Sequence, residues 1–142
     1  MKTLILYASK TKATEECAKE LASRLENCTV QELSKPLPAL SEYDTIIIGS
    51  GVRIGKLYRP VQRLLRKEQE QLCTKRLAFF LCNAVPESFD KTVEQNIPAT
   101  LRNAAVCIRS FGGKPPFKAD TPSESWRDDS AIAEFVRLLK GE

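Results

Sequence analysis

A short run of hydroxyl and cationic side chains near the amino terminus has the chemistry to bind phosphate. The run, Ser9 to Thr14, follows five apolar residues and precedes a stretch in which Cys17, Leu21 and Leu25 recur every four positions. The apolar run is typical of a buried strand, and the four-residue period is typical of one helix face. The run is therefore predicted to lie at the start of a helix, where unpaired N–H groups and the helix dipole attract anions.

The threonines of this run can act in two ways. The hydroxyls of Thr11 and Thr14 can cap the helix or bind phosphate oxygens, and the residues alone leave both roles open. Lys12 favours a bound anion, because a cation in the first helical turn opposes the dipole by roughly 0.3–1 kcal/mol. Glu15 and Glu16 can offset part of that cost.

Composition limits the class of protein. The 142 residues are predicted to form a single domain over residues 1–142. No secretory leader and no apolar run of membrane-spanning length is recognised, so a cytoplasmic protein without a transmembrane segment is expected. The net charge of +4 is too small to indicate nucleic-acid binding, although it favours anionic partners.

The titratable residues exclude several chemistries. The chain has no histidine, which removes Ser-His-Asp and Cys-His nucleophile schemes and any histidine base or metal ligand. Its five cysteines are odd in number, scattered, and never arranged as Cys-x-x-Cys. Neither a disulfide framework nor a metal site is therefore expected.

Apolar runs alternate with helical stripes along the whole chain. The alternation predicts a parallel sheet with helices on both faces, an α/β three-layer sandwich. Five strands in a chain of this length fit the order 2-1-3-4-5. The predicted strands are Leu4–Ala8, Cys28–Leu33, Thr45–Ile48, Leu77–Cys82 and Ala104–Ile108. Further helices are predicted from Tyr58 to Leu72, from Asp90 to Asn96 with a continuation after Pro98, and around residues 132–139.

Three loops are predicted to meet at one edge of this sheet. Ser9–Thr14, Gly49–Leu57 and Asn83–Ser88 follow the first, third and fourth strands. In open parallel sheets, ligands bind beyond the carboxyl ends of the strands, at the point where the strand order reverses. The three loops are therefore the predicted ligand site.

Two of these loops resemble those of a known family. Ser9–Thr14 resembles the flavodoxin phosphate loop, Ser/Thr-x-Thr-Gly-x-Thr. Ile48–Lys56 resembles the Ile-Gly-x-x-Ile-Arg-Tyr-Gly loop of the flavodoxin-like family that includes menaquinone-dependent protoporphyrinogen oxidase. The resemblance implies a flavodoxin-like fold and flavin mononucleotide (FMN) as cofactor.

The resemblance also assigns roles to residues. It implies that the FMN phosphate contacts the first loop and that the flavin ring contacts the second, while the third loop carries over by position only. Arg53 and Lys56 are the candidates for tuning the ring or receiving a carboxylated substrate. The cofactor-binding residues implied in this way are Ser9, Lys10, Thr11, Lys12, Ala13, Thr14, Ser50, Gly51, Val52, Arg53, Ile54, Gly55, Asn83, Ala84 and Val85.

The sequence departs from the family pattern in three places. Lys12 replaces the glycine of the phosphate loop, so either the backbone there is ordinary helix or the affinity for FMN is altered. The loops around the ring lack the tryptophan and tyrosine that enclose it in electron-shuttling flavodoxins. Only Gly112 to Asp129 separate the fifth strand from the last helix, where the protoporphyrinogen oxidases carry more sequence.

Two functions of different kinds remain. The first is an FMN-binding oxidoreductase or electron-transfer protein that acts on a small anionic substrate or an acidic redox partner protein. The alternative is a flavodoxin-like module that has lost flavin binding and acts through protein contacts. A phosphoacceptor receiver domain needs acidic residues where Ala8-Ser9 and Gly49-Ser50 stand, and a low-molecular-weight phosphatase needs a cysteine and an arginine in the phosphate loop. Both are rejected.

Overall fold

A five-stranded parallel sheet organises the described part of the chain. The computed structural model describes residues 2–10, 12–113 and 126–141. The strands are β1 Thr3–Ala8, β2 Cys28–Glu32, β3 Thr45–Arg53, β4 Lys56–Leu57, β5 Arg76–Cys82 and β6 Ala105–Ser110. The parallel strands lie in the order β2-β1-β3-β5-β6, and β4 pairs with β3 in the antiparallel sense. The predicted order is therefore confirmed, with one short strand added.

Helices cover both faces of the sheet. They are α1 Ala13–Ser23, α2 Arg59–Lys67, α3 Gln69–Leu72, α4 Phe89–Asn96, α5 Ala99–Ala104 and α6 Asp129–Leu139. Side chains of α1 and α6 pack in one apolar cluster, and those of α2, α3 and α5 pack in the other. Two short 3-10 turns span Leu40–Glu42 and Pro86–Ser88. The result is the predicted three-layer sandwich.

Strand β1 shows why the sheet is covered on both faces. All six of its residues are buried. Leu4 and Leu6 belong to the cluster beneath α2, whereas Ile5 and Tyr7 belong to the cluster beneath α1 and α6. Alternate side chains of a strand point to opposite faces, so an unbroken apolar run is stable only between two layers of helices.

The structure differs from the predicted elements in two places. The helix predicted from Tyr58 to Leu72 is interrupted at Glu68, where φ is −112° and ψ is 18°, and α3 follows. Strand β3 does not end at Gly49–Gly51 but continues to Arg53 and turns back into β4. The connection from Gly112 to Asp129, predicted to be irregular, lies mostly outside the described residues. Among the described helices, none is long and apolar enough to cross a membrane.

Candidate functional site

A cavity lies at the carboxyl ends of β1, β3 and β5. Its volume is about 720 Å³. Residues of the three predicted loops line it, together with residues that directly follow or precede those loops. The lining consists of Lys10, Ala13, Thr14, Gly51, Val52, Arg53, Ile54, Gly55, Tyr58, Cys82, Asn83, Ala84, Val85 and Ser88. The three loops therefore meet at one edge of the sheet, as their positions after the strands predict.

The first wall of the cavity is the beginning of α1. The first helical hydrogen bond runs from the Glu16 N–H to the Lys12 carbonyl, at 2.9 Å, so the N–H groups of residues 13–15 lack partners within the helix. Thr14 lines the cavity with only 1% of its surface exposed. Lys12, the N-cap residue, makes no side-chain cap hydrogen bond. This arrangement of free donors and a buried hydroxyl suits an anion.

Lys12 has the backbone conformation of a glycine. Its φ of 66° and ψ of −1° lie in the left-handed region, and its side chain is exposed. The sequence left two alternatives at Lys12, an ordinary helical backbone or an altered affinity for FMN. The prediction of an ordinary helical backbone is therefore wrong. Glycine adopts this conformation freely, whereas it costs roughly 1–2 kcal/mol for a residue with a Cβ atom.

Replacing Lys12 with glycine is expected to stabilise the protein. The change removes the strain of the left-handed residue, and the greater freedom of glycine in the unfolded chain offsets part of the gain. The free energy of unfolding should rise by about 0.5–1 kcal/mol, as measured by urea denaturation of the cofactor-free protein. Lys12→Ala, which removes the charge but keeps the Cβ atom, should give no such gain. Equal stabilisation by both variants would mean that charge, not backbone strain, matters at this position.

Ser9 places an unsatisfied hydroxyl just ahead of this turn. Its Oγ is buried and has no hydrogen-bond partner among the described residues. A buried polar group without a partner is destabilising by about 1–3 kcal/mol, so such an atom calls for an explanation. Thr11, the other predicted hydroxyl of this loop, lies outside the described residues.

The second wall is the hairpin formed by β3 and β4. Its two turn residues, Ile54 and Gly55, have φ values of 53° and 71°. Positive φ at both positions matches a type I′ hairpin, which gives adjacent strands the correct twist. Asn96 of α4 holds the hairpin, donating to the Gly55 carbonyl at 2.8 Å and accepting from the Leu57 N–H at 3.3 Å. The wall is thus fixed at its base.

Ile54 is unusual in both conformation and exposure. A β-branched residue with positive φ is an outlier, and Ile54 exposes 90% of its surface. Across the three loops, the only other strongly exposed large apolar residue among those described is Val85, at 54%. Both residues line the same cavity. Two exposed apolar side chains on separate walls suit a ligand with an apolar, flat part.

The third wall is the loop after β5, and the Asn83 side chain organises it. Asn83 Oδ1 accepts from the Val85 N–H at 3.0 Å, and its Nδ2 donates to Ser88 Oγ at 3.2 Å. The polar atoms of Asn83 are therefore engaged within the loop. Gly113 packs behind this loop, since a Cβ atom there would lie 2.9 Å from the Ala84 nitrogen.

Three predicted site residues among those described do not line the cavity: Ser9, Lys12 and Ser50. Ser50 is buried, and its Oγ accepts from the Tyr58 N–H at 3.0 Å and donates to the Gly51 carbonyl at 2.7 Å. Lys12 points its side chain to solvent. Ser9 is also absent from the lining, and its hydroxyl is buried. Cofactor contacts by all the residues assigned from the sequence stay predictions.

Two lining residues, Tyr58 and Cys82, lie outside the three predicted loops. The loops themselves contain no tryptophan or tyrosine, but Tyr58, which directly follows the second loop, lines the cavity beside Gly51. A Cβ atom at Gly51 would lie 2.5 Å from the Tyr58 ring. The β3–β4 register, in which Val52 faces Leu57, sets Tyr58 opposite Gly51. Pairing residues outwards from a two-residue turn at Ile54 and Gly55 would have placed Tyr58 opposite Gly51. The sequence does not indicate that turn, because Ile54 is not a typical residue for it. Cys82 directly precedes the third loop, and Ser88 lies within that loop but was not among the residues assigned to the cofactor.

The Tyr58 ring has a charged neighbour. Lys10 Nζ lies 5.1 Å from the ring centroid, within the range of a cation–π contact. Burial, more than any other cause, raises the pKa of the Tyr58 hydroxyl above its usual value. The hydroxyl therefore stays protonated at neutral pH and can donate a hydrogen bond into the cavity.

Comparison with known proteins gives one family. The flavodoxin domain family matches residues 4–137. Protoporphyrinogen IX dehydrogenase (quinone) of Escherichia coli strain K12 is 30% identical over 153 residues, which cover 100% of this chain and 82% of that protein.

Solved structures agree in fold. A mutant flavodoxin of Fusobacterium nucleatum bound to flavin mononucleotide has a TM-score of 0.67 at 11% identity, covering 99% of this chain and 96% of that one. Oxidised flavodoxin 1 of Bacillus cereus has a TM-score of 0.61 at 18% identity, covering 100% of this chain and 99% of that one. Identities this low show similarity of fold alone.

Proposed function

The chain belongs to the flavodoxin domain family, and on this premise we propose that it is an FMN-dependent redox protein. FMN would occupy the cavity at the carboxyl ends of β1, β3 and β5. The observation that carries the proposal is the beginning of α1, where a left-handed Lys12, free N–H groups and the buried Ser9 hydroxyl together fit a phosphate. When bound, FMN supplies the transfer of one or two electrons.

The residues of the cavity divide between the two ends of FMN. Ser9, Thr14 and the first N–H groups of α1 would hold the phosphate through charge-assisted hydrogen bonds. The hairpin wall, with Ile54, and the Asn83 loop, with Val85, would hold the ring between them and exclude water from its faces. Thr11 belongs to the same proposed phosphate site by its place in the loop motif.

Three cationic residues lie on or next to the hairpin wall of the cavity. Arg53 and Lys56 face each other across the β3–β4 pair, and Arg59 follows two residues after β4. All three are exposed, and none forms an ion pair with a residue that the structure describes. Positive charge at this place stabilises negative charge that develops nearby, and salt weakens the effect.

Helix α2 extends this positive surface away from the cavity. Arg59, Arg63 and Arg66 are spaced four and three residues apart, so they share one exposed face. The first turn contains no acidic residue, although the helix dipole favours one there. A cation-rich helix beginning beside the cavity supports an acidic redox partner protein or a small anionic substrate as the electron donor or acceptor.

Electron transfer to small acceptors tests this charge. We expect the FMN-loaded, reduced protein to be oxidised by the anion ferricyanide at a rate that falls as salt rises, whereas the cation hexaammineruthenium(III) should show the opposite trend. Arg59→Glu should slow the ferricyanide reaction roughly two- to fivefold at low salt, because it reverses a charge beside the cavity. Stopped-flow absorbance measures both rates.

Lys140→Glu is the matched control. It makes the same charge change directly after α6. The last carbonyls of α6 accept hydrogen bonds from Arg76, which begins β5, so Lys140 lies at the end of the sheet opposite the cavity. Its ferricyanide rate should stay near that of the unchanged protein. Equal slowing by both variants would show that net charge alone, and not the hairpin surface, governs the encounter.

The alternative of a module without flavin has less support than the FMN-dependent function. It rested on Lys12 in the phosphate loop and on the absence of the tryptophan and tyrosine that enclose the ring in electron-shuttling flavodoxins. Lys12 adopts a left-handed backbone, which glycine also adopts freely, and Tyr58 places one aromatic side chain in the cavity lining. The FMN-dependent function is therefore the one proposed.

A further inference from the structure

Two buried cysteines meet beneath the cavity. The Sγ atoms of Cys17 in α1 and Cys82 at the end of β5 are 3.7 Å apart. Cys82 lines the cavity and exposes 6% of its surface, whereas Cys17 is fully buried. The two residues are 65 positions apart in sequence, so only the fold brings them together.

We propose that Cys82 and Cys17 form a redox-active dithiol. In the cofactor-free protein, a small-molecule disulfide that enters the cavity converts this dithiol to a protein disulfide, and bound FMN shields it. The dithiol itself does not depend on the proposed function, whereas the shielding by FMN rests on it. Cys82 is the residue that reacts first, and Cys17 is the residue that resolves the intermediate.

The reaction is two successive thiol–disulfide exchanges. The Cys82 sulfur, on losing its proton, attacks one sulfur of the small disulfide and forms a mixed disulfide, and the released thiolate takes up a proton. The Cys17 sulfur then attacks the Cys82 sulfur, and the second small thiol leaves with the Cys17 proton. Two protein thiols lose two electrons and two protons in total, and one small disulfide becomes two thiols.

The positions of the two thiols fix this order. Cys82 lines the cavity, which is the route by which a disulfide molecule would arrive, whereas Cys17 does not line it and is fully buried. The hydrogen bond with Cys82 and burial both raise the pKa of the Cys17 thiol, so Cys17 stays protonated and unreactive towards outside reagents. Once Cys82 carries the mixed disulfide, its sulfur is the electrophile that lies nearest to Cys17 among the described residues.

The required movement is small. A disulfide holds its sulfurs about 2 Å apart, so the two sulfurs must approach by less than about 2 Å. The bond would tie α1, which begins with the proposed phosphate turn, to the strand that leads into the Asn83 loop. Because Cys82 lines the cavity in which FMN is proposed to lie, an occupied cavity leaves no path for the reagent.

Oxidation of the cofactor-free protein by glutathione disulfide tests the dithiol. We expect intact-protein mass spectrometry to show the loss of two hydrogen atoms, and peptide mapping without reduction to show a Cys17–Cys82 link. Cys17→Ala should accumulate glutathione on Cys82, and Cys82→Ala should leave Cys17 unmodified. Cys107→Ala is the control, because Cys107 is also buried but has no thiol neighbour among the described contacts. It should form the Cys17–Cys82 link at the rate of the unchanged protein.

A second arm tests the shielding. With FMN at about ten times its Kd, roughly one tenth of the protein is free, so the link should form roughly tenfold more slowly. Glutathione that remains on Cys82 in the unchanged protein, or a link between other cysteines, would overturn the dithiol. A link that forms at an unchanged rate while FMN is bound would overturn only the shielding. A failure of FMN to bind would contradict the proposed function and leave the first arm intact.

Discussion

Replacing Thr14 with alanine is expected to weaken FMN binding roughly tenfold or more. Thr14 is buried, lines the cavity and stands in the first turn of α1 beside the free N–H groups. Losing a hydrogen bond to a charged group costs about 1.5–3 kcal/mol, and about 1.4 kcal/mol corresponds to a tenfold change in affinity. Quenching of FMN fluorescence during titration of the cofactor-free protein measures the dissociation constant.

Thr14→Ser separates the hydroxyl from the rest of the side chain. Serine keeps the hydrogen-bonding oxygen and loses only a methyl group, so its affinity for FMN should stay within about threefold of the unchanged protein, a difference below 1 kcal/mol. If Thr14→Ala and Thr14→Ser bind FMN equally tightly, the Thr14 hydroxyl does not hold the phosphate.

Replacing Gly49 with alanine is expected to lower the free energy of unfolding by about 3 kcal/mol or more. A Cβ atom at Gly49 would lie 2.1 Å from Phe80 Cζ and 2.4 Å from Cε1. Phe80 cannot move aside, because it is fully buried, stacks on Phe111 at 5.0 Å and meets the edge of Phe135 at 6.4 Å. Urea denaturation of the cofactor-free protein measures the loss.

A double-mutant cycle with Phe80→Leu identifies the cause. Leucine at position 80 lacks the ring atoms that the Gly49→Ala methyl group would meet, so the two changes together should cost less than the sum of their separate effects. Strict additivity would mean that the glycine is needed for its backbone, not for the space beside Phe80.

The strands and their order could be predicted because burial on both faces leaves a direct mark on the sequence. Ile46–Ile48 and Leu77–Leu81 are apolar without interruption, since the two layers of helices cover β3 and β5 from both sides. Right-handed crossovers and the chain length then limit the order to very few possibilities. The resemblance to flavodoxins agrees with this order, and the observed sheet confirms it.

The hairpin and Tyr58 could not be predicted because the local signal is wrong there. Ile54 adopts positive φ, which its branched side chain disfavours, so the sequence does not indicate a two-residue turn. Lys12 is a similar case, because the turn imposes a glycine-like backbone on a residue that resists it. At both positions the surrounding structure overrides local preference, which is typical of functional sites.

The site residues were predicted by location but not by the use of their polar atoms. The predicted ends of the strands located the three loops, and most of the predicted residues line one cavity. The oxygen of Ser50 and the amide of Asn83, however, are engaged by backbone and loop partners. Such bonds depend on three-dimensional neighbours, as does the Cys17–Cys82 contact, and sequence spacing does not reveal them.

Titration of the purified, cofactor-free protein with FMN and with riboflavin tests the central claim most directly. Riboflavin has the same ring but no phosphate, so it separates the phosphate turn from the ring walls. We predict that FMN binds one molecule per chain with a shifted absorption spectrum, and that riboflavin binds at least about tenfold more weakly, since it lacks the charged hydrogen bonds at α1. No change in the FMN spectrum, or equal affinity for the two flavins, would contradict the account.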